Sequence, residues 1–215
     1  MITAIIFDMN GVIINDEAIH ELAFKEVCKK YNIILTSQGY KDLCMGKTDE
    51  QGFIEIIKKY KLDNVKISNL VEQKSTKYLE LIPKNIKSYP GVIDLIKKLH
   101  KKFILALASS SSRQEIEMVL NYFKIKKLFK IIISADDISK SKPDPEPYLL
   151  TTKKINQKPE NCLVIEDSKS GIMSAKRAGM KCIAITTTHN EKELVGADVI
   201  INKFSEITEK MIQNV

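Results

Sequence analysis

The chain has no tryptophan, and only four of its 215 residues are cysteines. Cys28, Cys44, Cys162 and Cys182 form no C-x-x-C pair, and the last two lie inside apolar runs, so we expect reduced core cysteines rather than disulfides or a zinc site. No apolar stretch reaches the roughly 18 residues of a membrane helix. The first apolar run ends at Asp8, too early for a signal-peptide core. We therefore expect a cytoplasmic protein that does not bind membranes.

Arginine is also scarce, since Arg113 and Arg177 are the only two. The net charge of +7 comes from lysines that are spread singly or in pairs along amphipathic segments. Nucleic-acid binding would require a denser basic stripe or a known motif, so these lysines, including Lys74 and Lys77, are interpreted as solvated and no nucleic-acid partner is expected. The sequence shows no coiled-coil heptads, and a monomer is expected.

Hydrophobic residues make up 44% of the chain and charged residues 28%, which is typical of a soluble globular protein. Short apolar runs alternate with helix-length amphipathic segments, a pattern that predicts a parallel sheet covered by helices on both faces. The predicted strands are Thr3 to Phe7, Phe103 to Ala108, Ile131 to Ser134, Cys162 to Ile165, Cys182 to Thr186 and Val199 to Ile201.

Residues 16–81 follow a different pattern. No convincing strand occurs there, and apolar residues recur at helical spacing. The segment is therefore predicted to be a helical domain inserted after the first strand. Pro83 and the Tyr89-Pro90-Gly91 turn are interpreted as the return of the chain to the sheet.

Polar side chains follow four of the predicted strands at the point where each strand ends. Asp8 follows the first, Ser109 the second and Lys142 the loop after the third, while Glu166 and Asp167 follow the fourth. Open α/β sheets build their sites at the carboxyl ends of the strands, so we expect these groups to lie together. Singly, each has an ordinary structural explanation as a cap or turn residue. Their joint position favours function.

Phosphoryl transfer to a carboxylate uses this set of groups. Asp8 is the candidate nucleophile. A hard divalent cation, for which Mg²⁺ is the candidate, offsets the repulsion between carboxylate and phosphate. Its candidate ligands are Asp8, the main-chain carbonyl of Asn10 and Asp167, with Glu166 nearby or bound through water.

The remaining groups suit the phosphoryl oxygens. Ser109 and the adjacent main-chain N–H groups, beginning with Ser110, are candidates to hold these oxygens, and Lys142 supplies a fixed positive charge. Positioning and electrostatic stabilisation are most of what such catalysis requires.

Four motifs resemble those of the haloacid dehalogenase superfamily, closest to its β-phosphoglucomutase-like and sugar-phosphate phosphatase members. The motifs are Phe7-Asp8-Met9-Asn10-Gly11-Val12, Leu107-Ala108-Ser109-Ser110, Ser141-Lys142-Pro143-Asp144-Pro145 and Val164-Ile165-Glu166-Asp167-Ser168 with Gly171. The resemblance implies an α/β fold in which residues 1–15 and 82–215 form a Rossmann-like core of parallel sheet flanked by helices, with an all-helical cap at 16–81. It also implies Asp8 as nucleophile, phosphoryl binding by Ser109 and Lys142, and Mg²⁺ held by Asp8, the Asn10 carbonyl and Asp167 with the help of Glu166.

The chain departs from the family at Asn10, where the family carries an acid/base aspartate. An amide cannot protonate a leaving oxygen or deprotonate water, so turnover is expected to fall by about 10² to 10⁴. The main-chain carbonyl of Asn10 is unaffected by this exchange. We therefore expect folding, magnesium binding and ligand binding to survive.

Specificity is expected in the cap. His20 falls where similar β-phosphoglucomutases carry a histidine, and Gly46-Lys47-Thr48 resembles a cap loop that faces the active site in relatives, so His20 and Lys47 are candidates for substrate binding. Where mutases carry an arginine for a distal phosphate, this chain has Asp49.

The leading hypothesis is a Mg²⁺-dependent phosphatase of small phosphorylated metabolites, in particular sugar phosphates, impaired by Asn10. A hexose-phosphate mutase and a catalytically inactive ligand-binding relative remain as alternatives. A receiver-like phospho-accepting module is disfavoured because such modules are shorter and take phosphate on a later strand. Dehalogenation is also disfavoured, because Asn10 is one amide away from the carboxylate that distinguishes the phosphotransferases.

Overall fold

The structure is a computed structural model that describes residues 1–45 and 47–215, with only the backbone described at positions 84 and 85. The chain divides into two compact units, residues 1–15 with 87–215, and residues 16–86. The first unit contains a sheet and its flanking helices, and the second is helical. Among the described residues, no helix is long and apolar enough to cross a membrane.

The first unit is built on a six-stranded sheet in the order β3-β2-β1-β4-β5-β6, and all neighbouring strands are parallel. The predicted α/β fold class is therefore confirmed, and each predicted strand is present with ends displaced by at most one residue. The strands are β1 (Ala4–Phe7), β2 (Ile104–Ala108), β3 (Ile131–Ile133), β4 (Cys162–Glu166), β5 (Lys181–Ile185) and β6 (Val199–Ile201).

The central strands are apolar and buried on both faces, as expected where helices cover both sides of a parallel sheet. Phe7 at the end of β1 lies opposite Leu107 of β2 and Ile165 of β4, so these three strands end level with one another. Burying one such aliphatic or aromatic side chain stabilises the fold by roughly 1.5–3 kcal/mol. All four cysteines are buried and free, as predicted.

The helices connect the strands and form the second unit. They are α1 (Glu17–Lys29), α2 (Ser37–Leu43), α3 (Asp49–Tyr60), α4 (Ile67–Asn85), α5 (Val92–Leu99), α6 (Arg113–Tyr122), α7 (Glu146–Ile155), α8 (Lys169–Arg177) and α9 (Glu209–Asn214), with 3₁₀ turns at Lys126–Leu128, Ala135–Asp137, Pro159–Asn161 and Phe204–Glu206. The sequence encodes several of the helix starts directly. Ser112 forms a capping box with Glu115 at α6, and Ser168 accepts a hydrogen bond from the Gly171 N–H at α8.

The helical unit packs α1 to α4 around its own apolar cluster, which includes Phe24, Phe53, Ile56 and Leu70. Its last helix corrects one prediction. Pro83 lies inside α4, which continues to Asn85, so Pro83 does not mark the return to the sheet. Proline removes one helical hydrogen bond, and in the last turn of a long helix this loss is tolerated.

Lys74 corrects a second prediction, because its side chain is completely buried rather than solvated. Its Nζ lies 2.8 Å from Oδ2 of Asp49 and 2.7 Å from Nδ1 of His20, above the rings of Phe24 and Tyr78. These contacts compensate for the loss of hydration that burial of an ammonium imposes.

Candidate active site

Asp8 is the first residue after β1. Its main-chain N–H donates to the carbonyl of Ile165, which continues the β1–β4 pairing one residue beyond the strand. The side chain is 10% exposed, so its carboxylate is almost fully removed from water. This position at the carboxyl end of a central strand is the one predicted from the sequence.

Lys142 is the positive partner of Asp8. Its Nζ lies 2.5 Å from Oδ1 of Asp8 and 2.7 Å from Oε1 of Glu166, and it donates a third hydrogen bond to the Ala108 carbonyl at 3.2 Å. The ammonium also lies 4.9 Å from the centre of the Tyr148 ring. Lys142 thus joins groups at the ends of β1, β2 and β4.

Glu166 is held by donors on both oxygens. Oε1 accepts from Lys142 and from the Tyr148 hydroxyl at 3.0 Å, and Oε2 accepts from the N–H groups of Asp167 and Ser168 and the Ser168 hydroxyl. Gly171 faces it so closely that a Cβ there would lie 1.7 Å from Oε1. Glu166 therefore fixes Lys142 and the start of α8, and a glycine is required beside it.

Asp167 lies beside the turn that follows β1. A Cβ on Gly11 would lie 2.0 Å from Oδ2 of Asp167, and Gly11 has φ of +79°, so only glycine fits this approach without strain. The Thr188 hydroxyl donates to Oδ2 of Asp167, and Nδ1 of His189 lies 3.0 Å from the Asp167 carbonyl.

Asn10 is held by the loop after β2. Its Oδ1 accepts hydrogen bonds from the hydroxyls of Ser109, at 3.2 Å, and Ser111, at 2.8 Å. The Ser109 oxygen in turn accepts from the Ser111 N–H at 3.1 Å. Ser109 is buried and Ser110 is exposed. The structure thus brings Asn10 and Ser109, two of the predicted site residues, into direct contact.

With all of its groups ionised, the site would carry more negative than positive charge. Three buried carboxylates, those of Asp8, Glu166 and Asp167, adjoin one buried ammonium, that of Lys142. Burial raises the pKa of Asp8 to about 7, with Lys142 opposing the rise and Glu166 adding to it. Burial, followed by the charges of Glu166 and Asp8, raises the pKa of Asp167 well above its ordinary value. These carboxylates would be stabilised in their ionised forms by an added cation.

The other two members of the group are held charged. Burial alone would raise the pKa of Glu166, but Lys142 and the main-chain donors hold it below its ordinary value. Burial alone would lower the pKa of Lys142, but Asp8 and Glu166 hold it well above its ordinary value. Lys142 therefore remains an ammonium, as a phosphate-binding role requires.

His20 and Lys47, the two candidates for substrate binding in the cap, lie in the helical unit. Nε2 of His20 lies 3.0 Å from Oδ2 of Asp16, and its Nδ1 faces Lys74. Lys47 donates to the carbonyls of Leu43, at 3.0 Å, and Asp42, at 3.4 Å, and so satisfies the end of α2. The neighbouring Gly46 lies outside the described residues.

Sequence reasoning missed four contributors to the site, namely Ser111, Tyr148, Thr188 and His189. Tyr148 lies in α7, and nothing in the sequence connects it to Glu166. The other three were accessible, because Ser111 belongs to the serine run after β2, and Thr188 and His189 follow β5 closely. The rule that polar groups after a strand build the site applies to them as well.

Several curated proteins are similar along the chain. A phosphorylated carbohydrates phosphatase from Thermotoga maritima is 32% identical over 92% of both proteins. A beta-phosphoglucomutase from Bacillus subtilis is 27% identical over 97% of this chain and 93% of its own length. A bifunctional riboflavin kinase/FMN phosphatase from Arabidopsis thaliana is 32% identical, and the chain spans 54% of its length.

Solved structures show the same architecture. CbbY from Rhodobacter sphaeroides in complex with phosphate aligns with a TM-score of 0.90 at 25% identity and full coverage of both chains. An aspartate-to-asparagine mutant of that protein, in complex with xylulose-(1,5)bisphosphate, aligns with a TM-score of 0.86 at 27% identity and 96% coverage of both.

The family match agrees with the geometry of the site. Residues 5–185 match the family described as haloacid dehalogenase-like hydrolase, and this range contains Asp8, Asn10, Ser109, Lys142 and Asp167. The resemblance first recognised in four short motifs is thereby confirmed over most of the chain, which belongs to the haloacid dehalogenase-like hydrolase family.

Proposed function

We propose that the protein is a Mg²⁺-dependent phosphatase of small phosphorylated metabolites, in particular sugar phosphates. The observation that carries this proposal is the buried contact between the Asp8 carboxylate and the Lys142 ammonium at the carboxyl end of the sheet. The similarity to a phosphorylated carbohydrates phosphatase over nearly the whole chain supports the same reaction and substrate class.

In this proposal Asp8 attacks the phosphorus atom and forms an aspartyl-phosphate, while the bond from phosphorus to the substrate oxygen breaks. Lys142 neutralises charge on the phosphoryl oxygens. Ser109 and the N–H groups of the loop at Ser110 hold these oxygens. Water then attacks the aspartyl-phosphate, which releases inorganic phosphate and regenerates Asp8.

The donor set fits a hard divalent cation. With all groups ionised, three carboxylates and one ammonium leave two negative charges in a buried pocket, and oxygen ligands are those that Mg²⁺ prefers. Asp8, the main-chain carbonyl of Asn10 and Asp167 are the proposed ligands. Glu166, whose oxygens already accept five hydrogen bonds, would assist indirectly. When bound, the cation would offset the repulsion between Asp8 and the incoming phosphate.

The metal ligands proposed here are not all side chains. Among the described residues, no group of three or more histidine, cysteine, aspartate and glutamate side chains is gathered as in a closed metal site. Two carboxylates and a main-chain carbonyl would leave positions open for water and phosphate, as is usual for Mg²⁺.

Asn10 limits the proposed reaction. Its amide oxygen accepts from two serine hydroxyls, so it is well positioned, but an amide has no acidic proton to give to the leaving oxygen. We infer that the chain binds substrate and turns over slowly. The relative crystallised as an aspartate-to-asparagine mutant with a sugar bisphosphate shows that such an exchange in that protein is compatible with a bound ligand.

The test is phosphate release from a panel of sugar and other metabolite phosphates in the presence of Mg²⁺. We expect Asn10→Asp to raise turnover by about 10²–10⁴ over the unmodified chain. The matched control is Asn10→Asp combined with Asp8→Asn, which keeps the new carboxylate and removes the nucleophile, and it should be inactive. Intact-mass measurement verifies position 10 in each sample, because Asn-Gly sequences deamidate. The proposal is wrong if neither Asn10→Asp nor the unmodified chain releases phosphate from any compound.

A mutase is the second candidate, because a beta-phosphoglucomutase matches 97% of the chain. A mutase must hold a bisphosphate at both ends, and at the position of the cap arginine expected in such enzymes this chain has Asp49, which is paired with Lys74. This pairing favours the phosphatase. Activation by a sugar bisphosphate without net release of phosphate would instead indicate the mutase.

A further inference from the structure

Three consecutive residues after β5 contact both turns that carry the proposed metal ligands. The Thr187 hydroxyl donates to the main-chain carbonyl of Gly11 at 2.5 Å. The Thr188 hydroxyl donates to Oδ2 of Asp167, and Nδ1 of His189 lies 3.0 Å from the main-chain carbonyl of Asp167 and 2.8 Å from the Thr188 oxygen. One short segment therefore binds the turn after β1 and the turn after β4.

The direction of the hydrogen bonds follows from the chemistry of the groups. A main-chain carbonyl can only accept, so Nδ1 of His189 carries a proton and donates to Asp167. Thr188 has a single hydroxyl proton, which is used on the carboxylate of Asp167, and its oxygen accepts from His189. The single Nδ1 proton of His189 is thus shared between the Asp167 carbonyl and the Thr188 oxygen, and both residues donate to Asp167.

Asp167 needs such donors because its surroundings repel it. It is buried next to the carboxylates of Asp8 and Glu166, and its Oδ2 approaches the turn at Gly11 so closely that a Cβ there would overlap it. A carboxylate in this position is held only if other groups fix its rotamer. Thr187 and Thr188 are adjacent in the chain, so they fix the turn at Gly11 and the Asp167 side chain at a set separation.

We propose that Thr187, Thr188 and His189 form a positioning clamp for the divalent-cation site, which sets the distance between the Asn10-Gly11 turn and the Asp167 carboxylate. The inference rests on the proposed function, because it assumes that Asp167 is a metal ligand. The three residues touch the ligands and their turns, so their role is to orient the site. Mutation of groups that orient metal ligands typically lowers metal affinity 10- to 100-fold.

The test measures Mg²⁺ affinity of the full-length chain by calorimetry. Thr188→Val keeps the shape of the side chain and removes the donor, and we expect it to weaken Mg²⁺ binding by about 10- to 100-fold. Thr188→Ser restores the hydroxyl and should restore most of the affinity. Thr186→Val is the matched control, since the Thr186 hydroxyl contacts only Asn202 among the partners described for it, and it should leave the affinity unchanged.

The same measurement is extended to the other two members of the clamp. His189→Asn, whose amide N–H can replace Nδ1–H, should retain more affinity than His189→Leu. Thr187→Val should also weaken Mg²⁺ binding. It removes the hydrogen bond to the Gly11 carbonyl, which holds the turn that carries the proposed Asn10 ligand. A melting temperature measured without Mg²⁺ separates lost positioning from lost folding.

The outcomes distinguish this inference from the function on which it rests. If Thr188→Val binds Mg²⁺ as tightly as Thr186→Val does, or if Thr188→Ser fails to recover the loss, the clamp is wrong while the metal-dependent function stands. If the unmodified chain does not bind Mg²⁺, the proposed metal site is wrong, and the clamp proposal, which assumes that site, is wrong as well.

Discussion

The Nζ of Lys142 lies 2.5 Å from Oδ1 of Asp8, and both side chains are almost fully buried. The same ammonium contacts Glu166 at 2.7 Å. The carboxylate proposed as the nucleophile is thus held beside a positive charge whose position is fixed by a second carboxylate. This arrangement places the charge next to the atom that would receive a phosphoryl group, and it makes the stability of the site depend on Lys142.

Replacing Lys142 with methionine should reveal that dependence. Lys142→Met keeps the length of the side chain but leaves Asp8 and Glu166 buried without their cation, and breaking such a pair costs about 3–5 kcal/mol. Urea unfolding measures the loss in the free energy of unfolding. Lys140→Met is the control, because the Lys140 side chain is 73% exposed and lies 4.0 Å from Asp144. Equal losses in the two variants would show that Lys142 is not a buried counter-charge.

Gly171 offers a test of the close packing around Glu166. A Cβ at Gly171 would lie 1.7 Å from Oε1 of Glu166, so Gly171→Ala must displace the carboxylate that holds Lys142. We expect a loss of about 1–3 kcal/mol in the free energy of unfolding. Gly39→Ala is the control, since its Cβ would lie 3.3 Å from the side chains of Leu35 and Thr36, which need to shift by only a few tenths of an ångström, and alanine there should cost much less than at Gly171. Stabilisation by Gly171→Ala would mean that Glu166 is free to move.

Most of the sheet could be predicted because its information is local. Each strand is a run of three to five mostly apolar residues that is followed by a polar residue. Burial on both faces makes these runs continuous rather than alternating with polar residues. The site followed from one further rule, that parallel strands present their carboxyl ends at one edge. Asp8, Ser109, Lys142 and Glu166 were all found in this way.

The remaining features depend on partners that are distant in sequence. Lys74 is in an ordinary polar stretch of α4, and its burial is explained by contacts with Asp49, 25 residues away, and with His20. Tyr148, in α7, likewise has a distant partner, because its hydroxyl binds Glu166 at the end of β4, 18 residues away. Charge pattern alone assigns lysines to solvent, so it fails wherever the fold supplies a buried carboxylate.

The free energy of unfolding at acid pH should depend on Asp198, which directly precedes the edge strand β6. Its Oδ2 accepts from Lys176, at 2.6 Å, and from the Cys182 N–H, at 2.8 Å. Burial would raise the pKa of Asp198, but these donors hold it below its ordinary value of 3.8. A lowered carboxyl pKa gives stability that is present above the unfolded-state pKa and is lost as the pH falls through the folded-state value.

Asp198→Asn tests this linkage. At pH 7 we expect it to lower the free energy of unfolding by about 1 kcal/mol, because solvent screens part of the interaction. The difference from the unmodified chain should narrow as the pH falls below 3.8, where the carboxylate becomes protonated in both states. Asp63→Asn, at an exposed position, should follow the unmodified chain throughout. A constant difference at every pH would show that lost packing rather than charge is responsible.

The buried ammonium of Lys74 gives the last prediction, which concerns the helical unit. Lys74 donates to Nδ1 of His20, so the proton of the neutral ring resides on Nε2, which faces Asp16. Lys74→Met removes the donor to His20 and the cation that pairs with Asp49. Because Asp49 keeps 27% of its side chain exposed and can be rehydrated, the expected loss is about 1–3 kcal/mol rather than that of a fully buried pair.

A second substitution separates charge from packing in this network. Lys74→Met combined with Asp49→Asn also removes the charge of the carboxylate that has lost its partner, so part of the lost stability should return. Lys77→Met is the matched control, since Lys77 lies in the same helix and pairs at the surface with Glu80, whose side chain is 59% exposed, and it should change stability little. If Lys74→Met is as harmless as Lys77→Met, or if the double variant is no more stable than the single one, the ion pair with Asp49 is not what keeps Lys74 buried.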